Sequence, residues 1–329
     1  MIRLCLSRQK NNMNKERQAG TSKLVYKTRF EWAYLKPVYW TSWLWVLLLY
    51  GFYVLPDGVT NWLANRLGDL ARFSHKKRFL IAQKNIQLCF PDLSDAEKEN
   101  LIKQHYRAQM RSVLHYGLVW WASRKTLAEK IIIKGQENID ASLKKGRSVI
   151  IMTSHSVGLE MAVSAITMRY PVSGPFKVLK NPVTNWFVAK GRTRFGTIIY
   201  SREAGLRPII KDVQAGQLMF YLPDEDLGKD RSIFVPMFNV QKATVPVLGR
   251  LAKNCHADVL PCISCYDEKQ KKYIIHVLPA MQDFPQGDDK LDATRMNQAI
   301  ENTVHICPAQ YFWTLRLFRT RPEGEERFY

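Results

Sequence analysis

The chain has 329 residues, 46% of them hydrophobic, with no low-complexity tract or internal repeat. That excludes a disordered or repeat-built protein and leaves length enough for a substantial core. Lys and Arg number 49 against 29 Asp and Glu, a formal net charge of +20, which favours an anionic partner: nucleic acid, acidic phospholipid, a phosphorylated substrate or an acidic carrier protein.

Residues 1–36 form a basic N-terminal segment in which Met13 is a second candidate start. Pro37 to Pro56, "PVYWTSWLWVLLLYGFYVLP", then holds no charged residue over 20 positions. At about 1.5 Å per residue a helix of that length reaches about 30 Å, one hydrocarbon core. Trp40, Trp43, Trp45, Tyr39, Tyr50 and Tyr53 supply the aromatic flanks of a lipid–water interface. The pattern predicts a transmembrane or membrane-inserted helix. It starts too late, and without a small-residue cleavage site, for a cleavable signal. Arg17, Lys23, Lys27, Arg29 and Lys36 precede it, while Arg66, Arg72, Lys76, Lys77 and Arg78 follow. The balance slightly favours a cytoplasmic N-terminus. A half-inserted helix would instead keep both ends on one face.

Residues 57–130 are expected to be a helical lead-in, with a basic face at Lys76, Lys77 and Arg78 and a Ser94–Glu97 capping pattern. From 131 to 290 the runs "SVIIMT", "TIIY", "LMFYLP", "VLPCIS" and "YIIHVLP" read as strands between helical stretches. The fold class is therefore α/β, a mixed sheet flanked by helices. Residues 291–329 add a helix and a basic aromatic tail. Cys262 and Cys265 form a C-x-x-C behind Cys255-His256, which raises zinc or redox chemistry. On a strand, however, positions three apart face opposite ways. Buried thiols, no metal and no disulfide framework are the expectation, as in a reducing compartment.

The chemistry gathers at "SVIIMTSHSVGLEMA", residues 148–162. If the strand ends near Ser154 and a helix begins near Gly158, His155 sits in the turn and Glu160 in the first helical turn. A carboxylate there is favoured by the helix N-terminus and can orient the imidazole as a general base toward a substrate hydroxyl. Ser156 lacks a G-x-S-x-G frame for a nucleophile.

"HSVGLE" is one of several blocks that carry a resemblance. The others are "IAQKNIQLCFPDLS", "GRTRFG" with "SREAGLRPIIKDVQAGQ", "YLPDEDLGKDRSIFVPMF" and "PAQYFWTLRLFRTRPEG". In this order they resemble the late acyltransferases of lipid A biosynthesis, the lauroyl/myristoyl transferases, within the lysophospholipid and glycerol-phosphate acyltransferase group. Ala309 replaces an acidic residue, and Leu227 an aromatic one, of the usual pattern.

The resemblance implies an O-acyltransferase without metal or cofactor at the inner membrane of a Gram-negative cell, its catalytic domain on the cytoplasmic face. It would move a fatty acyl chain from acyl carrier protein to a hydroxyl on an acyl chain of a lipid A precursor. His155 and Glu160 are then the catalytic pair, and Arg192 and Arg194 bind phosphate or the oxyanion. Asp224, Asp226 and Gly228 shape the site, and Arg316, Arg319 and Arg321 contact headgroups or the carrier. Two rival readings are a glycerolipid or lysophospholipid acyltransferase and a non-catalytic basic membrane-surface protein. Nucleic-acid binding is disfavoured, because no recognised module is present.

Overall fold

The computed structural model describes residues 24–329; Met13, Arg17 and Lys23, on which sequence expectations fell, lie outside them. Two 3-10 turns, Trp32–Leu35 and Pro37–Tyr39, lead into helix α1 (Trp40–Val54). Its 15 residues reach only about 22 Å. No helix among the described residues is long and apolar enough to cross a membrane, so the expected transmembrane helix is corrected. The cause is local. Pro37 opens a 3-10 turn, and Leu55 turns extended before Pro56, as a residue before proline prefers. Val46 and Leu49 are buried, Val46 packing with Trp43, Trp121 and Phe187, while Trp40, Leu44, Leu47 and Val54 stay 58–65% exposed.

Helices α2 (Asp57–Ser74), α3 (Lys76–Cys89), α4 (Asp95–Leu114), α5 (Tyr116–Trp121) and α6 (Arg124–Glu129) follow. The capping box of α4 forms as its sequence predicts: the Glu97 N–H donates to Ser94 Oγ, and the Ser94 N–H to the Glu97 carboxylate at 2.8 Å.

Strands and helices then alternate: β1 (Ile131–Lys134), α7 (Gln136–Lys144), β2 (Ser148–Thr153), α8 (Leu159–Thr167), β3 (Val172–Phe176), α9 (Pro182–Thr193), β4 (Ile198–Ser201), α10 (Arg207–Gln214) and β5 (Leu218–Tyr221). A hairpin of β6 (Ile233–Met237) and β7 (Val240–Thr244) precedes α11 (Leu248–Cys255), β8 (Ala257–Asp267), β9 (Lys272–Val277) and α12 (Asp289–Ile306). The main sheet has the order β1-β9-β8-β2-β5-β3-β4, with β8, β2, β5, β3 and β4 mutually parallel and β9 antiparallel to β8. This is the mixed sheet flanked by helices that the sequence predicts.

Strand β2 lies at its centre and is apolar on both faces. Ile150 and Met152 join one core, with α3, α4, α10, α11 and α12; Val149 and Ile151 join the other, with α7 and α8. The alternation is the period of two that a strand imposes.

Cys262 is a buried free thiol, but Cys265 is bonded to Cys307. The expectation of no disulfide is therefore corrected. Cys307 caps the C-terminus of α12, which brings it against β8 from 42 residues away. No local spacing announces such a pair.

Candidate active site

Strands β2 and β5 are parallel neighbours, with Met152 opposite Tyr221. Continuing that register three residues past each partner brings His155 opposite Asp224, with the same separation of 69 residues. Both therefore emerge at the carboxyl ends of adjacent parallel strands, where open α/β sheets form their crevices. His155 Nδ1 lies 2.6 Å from Asp224 Oδ1, and the His155 backbone N–H donates to Asp224 Oδ2 at 2.8 Å. The Tyr311 hydroxyl donates to the same Oδ2 at 3.0 Å.

Asp224 is fully buried. Burial opposes its charge, but the His155 ring and the bonds from His155 outweigh it and hold the carboxyl below the usual range. The Asp224 charge in turn raises the His155 pKa above its ordinary value, against burial; Glu225 adds to the rise and Arg202 opposes it. The carboxylate on the imidazole is thus Asp224. Glu160, expected in that place, lies in the first turn of α8 and pairs with Arg192 instead.

The loop between β2 and α8 is fixed from behind. The Val157 N–H donates to the Gln310 carbonyl and the Phe312 N–H to the His155 carbonyl, each at 2.9 Å. Gly158 lies so close to Ser264 that a Cβ would come within 2.6 Å of its Oγ and 3.0 Å of its carbonyl oxygen. A glycine is needed there to let the loop seat on β8. Ser156 is buried, and its hydroxyl has no partner among the described residues.

Beside His155 is a cavity of about 290 Å³ with Leu159, Val163, Leu206 and Phe220 among its apolar walls and Arg192, Arg202 and Lys177 among its cations. Arg192 donates from Nε to both Glu160 oxygens at 3.1 Å and from Nη2 to Oε1. Burial works against its charge, yet Glu160 more than compensates and keeps the guanidinium's pKa above its normal value. Its Nη1 makes no hydrogen bond among the described residues.

The other expected site residues divide. Asp226 and Gly228 build the loop that carries Asp224. Asp226 accepts from the Gly228 N–H at 3.0 Å, the Thr320 N–H at 2.7 Å and the Thr320 hydroxyl at 2.8 Å, and Gly228 has φ 95°. Arg194 donates to the carbonyls of Val119 at 2.7 Å and Ala122 at 2.5 Å. That makes it a clasp between α9 and α5. Arg321 donates to the Gln241 carbonyl at 2.6 Å and pairs with Glu325, so its guanidinium is committed inside the fold. Arg316 and Arg319 are exposed.

Two residues that sequence reasoning missed complete the site: Tyr311, and fully buried Lys242 on β7. Burial lowers the Lys242 pKa, while Asp224 and Asp226 act to raise it.

The sequence model of bacterial lipid A biosynthesis acyltransferases matches residues 27–320. The chain belongs to the bacterial lipid A biosynthesis acyltransferase family. A Haemophilus influenzae lipid A biosynthesis acyltransferase is 31% identical over 96% of this chain and 99% of its own length. The Escherichia coli lipid A biosynthesis myristoyltransferase is 31% identical over 91% of this chain and 93% of its own. The Escherichia coli lauroyltransferase of the same process is 30% identical over 90% and 97%. Membership makes the chain an acyltransferase of lipid A biosynthesis.

Proposed function

We propose that the protein transfers a fatty acyl chain from acyl carrier protein to a hydroxyl on an acyl chain of a lipid A precursor, with His155 as general base and Asp224 as the residue that orients it. The observation that carries this reading is the 2.6 Å contact between His155 Nδ1 and Asp224 Oδ1. With Nδ1–H donated to the carboxylate, Nε2 is the basic nitrogen and takes the proton of the acceptor hydroxyl. The oxygen attacks the thioester carbonyl. Collapse of the tetrahedral intermediate forms the new ester and breaks the C–S bond, and Nε2 returns the proton to the departing thiolate.

Arg192, fixed by Glu160 at the rim of the same cavity, offers its unbonded Nη1 to the oxyanion or to a substrate phosphate. Glu160 serves the site through Arg192.

The acceptor is a lipid, and the exposed apolar faces of α1 and α2 fit a protein that rests on the cytoplasmic face of the inner membrane. Trp62, Leu70 and Phe73 of α2 are 57–71% exposed. The charge of +20 suits a phosphorylated acceptor and an acidic carrier.

The test incubates purified protein with acyl carrier protein charged with mixed fatty acids and an underacylated lipid A precursor, and follows the lipids by mass spectrometry. Addition of one or more acyl chains by the wild type, abolished in His155→Ala, is expected. Equal turnover by both forms overturns the mechanism. Transfer to a glycerolipid but not to the lipid A precursor overturns the acceptor assignment.

A further inference from the structure

A second cavity lies away from His155. It is a half-open groove of about 670 Å³ between α3 and the C-terminal segment, walled by Lys76, Lys77, Lys84 and Arg316 over Ile81 and Phe328. No Asp or Glu side chain lines it, Tyr329, the last residue, stands on its wall, and none of these four cations enters an ion pair among the described residues. On the neighbouring helices α2 and α4 cations do find partners: Arg107 pairs with Asp69 at 2.6 Å and Arg72 with Glu99 at 3.7 Å. Four unpaired cations around one concavity repel one another unless an anion enters it.

The groove adjoins apolar surface. Leu80, on its wall, is 50% exposed. Helix α2 ends one residue before α3 begins, and Val59, Trp62, Leu70 and Phe73 are 44–71% exposed along it. Their spacing, with exposed Arg66 between, keeps them on one side of the helix. Apolar residues on one side and cations at the end are the distribution of a helix lying in a lipid–water interface.

We infer that this groove binds the phosphate headgroup of an anionic phospholipid of the surrounding bilayer. The phosphate meets Lys76, Lys84 and Arg316, and the glycerol and first methylenes lie over Ile81 and Phe328. A bilayer is the favoured occupant, because exposed apolar residues stand both on the groove wall at Leu80 and along the preceding helix α2, and an acidic peptide in the groove would leave those of α2 uncovered. Arg316 also belongs to the segment whose Tyr311 and Thr320 hold Asp224 and Asp226, so a headgroup at Arg316 grips the segment that braces the catalytic carboxylate. The inference rests on the reading that the protein works at a membrane, and not on acyl transfer.

The experiment is vesicle co-sedimentation of the full chain at low salt. Phosphatidylcholine vesicles are compared with vesicles containing about 30% phosphatidylglycerol, a composition that gives an anionic surface. The wild type is expected to bind the anionic vesicles more tightly. The double variant K76Q/K84Q is expected to bind them about twenty-five-fold more weakly, at roughly five-fold per removed charge, with binding to phosphatidylcholine unchanged. Equal binding of variant and wild type to anionic vesicles overturns the proposal.

Intact vesicle binding with a raised KM for a detergent-dispersed lipid A precursor also overturns it, and makes the groove a subsite for the acceptor's own phosphates. Wild type that binds neither vesicle overturns the membrane reading itself. Should the variant misfold, amide exchange on the wild type decides. Protection of residues 76–87 by phosphatidylglycerol vesicles but not by phosphatidylcholine supports the groove, and equal or absent protection overturns it.

Discussion

The Asp224 carboxylate holds His155 at two points, the ring Nδ1 at 2.6 Å and the backbone N–H at 2.8 Å, so one buried side chain fixes both the tautomer of the imidazole and the turn that carries it. A base must be neutral to accept a proton, and Asp224 raises the His155 pKa. Activity is therefore expected to fall as pH drops through that raised value. Asp224→Asn removes the charge but can keep the backbone bond. The acidic limb of kcat/KM is expected to move to lower pH and kcat to fall about a thousand-fold or more, because the amide no longer enforces the Nδ1–H tautomer. An unchanged limb would separate Asp224 from the titration.

Lys242 tests the same balance from the other side. It is fully buried on β7, its only hydrogen bond among the described residues a long one of 3.4 Å to the Ala243 carbonyl, and Asp224 and Asp226 are the charges that act on it. A cation near Asp224 offsets the pull that Asp224 exerts on His155. Lys242→Met is expected to raise the His155 pKa and shift the acidic limb to higher pH by about half a unit to one unit. That sign is opposite to the Asp224→Asn shift. A pH–rate profile of each variant checks the pair.

How much of this was legible in the sequence follows from how far each feature reaches along the chain. The apolar run over β2, the turn after it and the capping box at Ser94 are local, and they read correctly. Gly174 and Pro175 interrupt β3, and Pro236 interrupts β6, so neither reads as a strand from sequence alone. His155 is legible, but the carboxylate that the sequence offers it lies five residues away, whereas the register of β2 on β5 supplies one from 69 residues away. The "PDEDLG" block was visible, and only the pairing of two strands could say that Asp224 faces the imidazole. Tyr311 stands in the "PAQYFW" block and Lys242 on β7, but only the fold brings them to Asp224.

The Cys265–Cys307 bond closes a loop of 42 residues between β8 and the end of α12. Restricting the unfolded chain by a loop of that length stabilises the fold by about 4 kcal/mol in the chain-entropy view. Cys307→Ser is expected to lower the urea midpoint accordingly, and reductant to lower the wild type's but not the variant's. The effect on kcat should be small. Gln310 independently ties the adjoining segment to β8, accepting from the Tyr266 N–H at 2.7 Å and donating to its carbonyl at 2.9 Å. Urea unfolding with and without reductant, beside activity at saturating substrate, separates the two contributions.

Glu160 and Arg192 make the sharpest test of what the first turn of α8 is for. Their side chains are 15% and 26% exposed, respectively, so removing one partner leaves a charge in a poorly solvated place. Glu160→Gln is expected to destabilise the fold by about 3 kcal/mol and to lower kcat by freeing Arg192 to swing from the cavity rim. In the double variant E160Q/R192M no buried charge is left alone, so stability should largely return. Activity should not, because the guanidinium proposed to meet the oxyanion is gone. The acidic limb of the pH profile is expected to stay near the wild-type value in both, since His155 keeps Asp224. If Glu160→Gln instead moves that limb as far as Asp224→Asn does, Glu160 acts on the imidazole directly, and the division of labour between the two carboxylates is wrong.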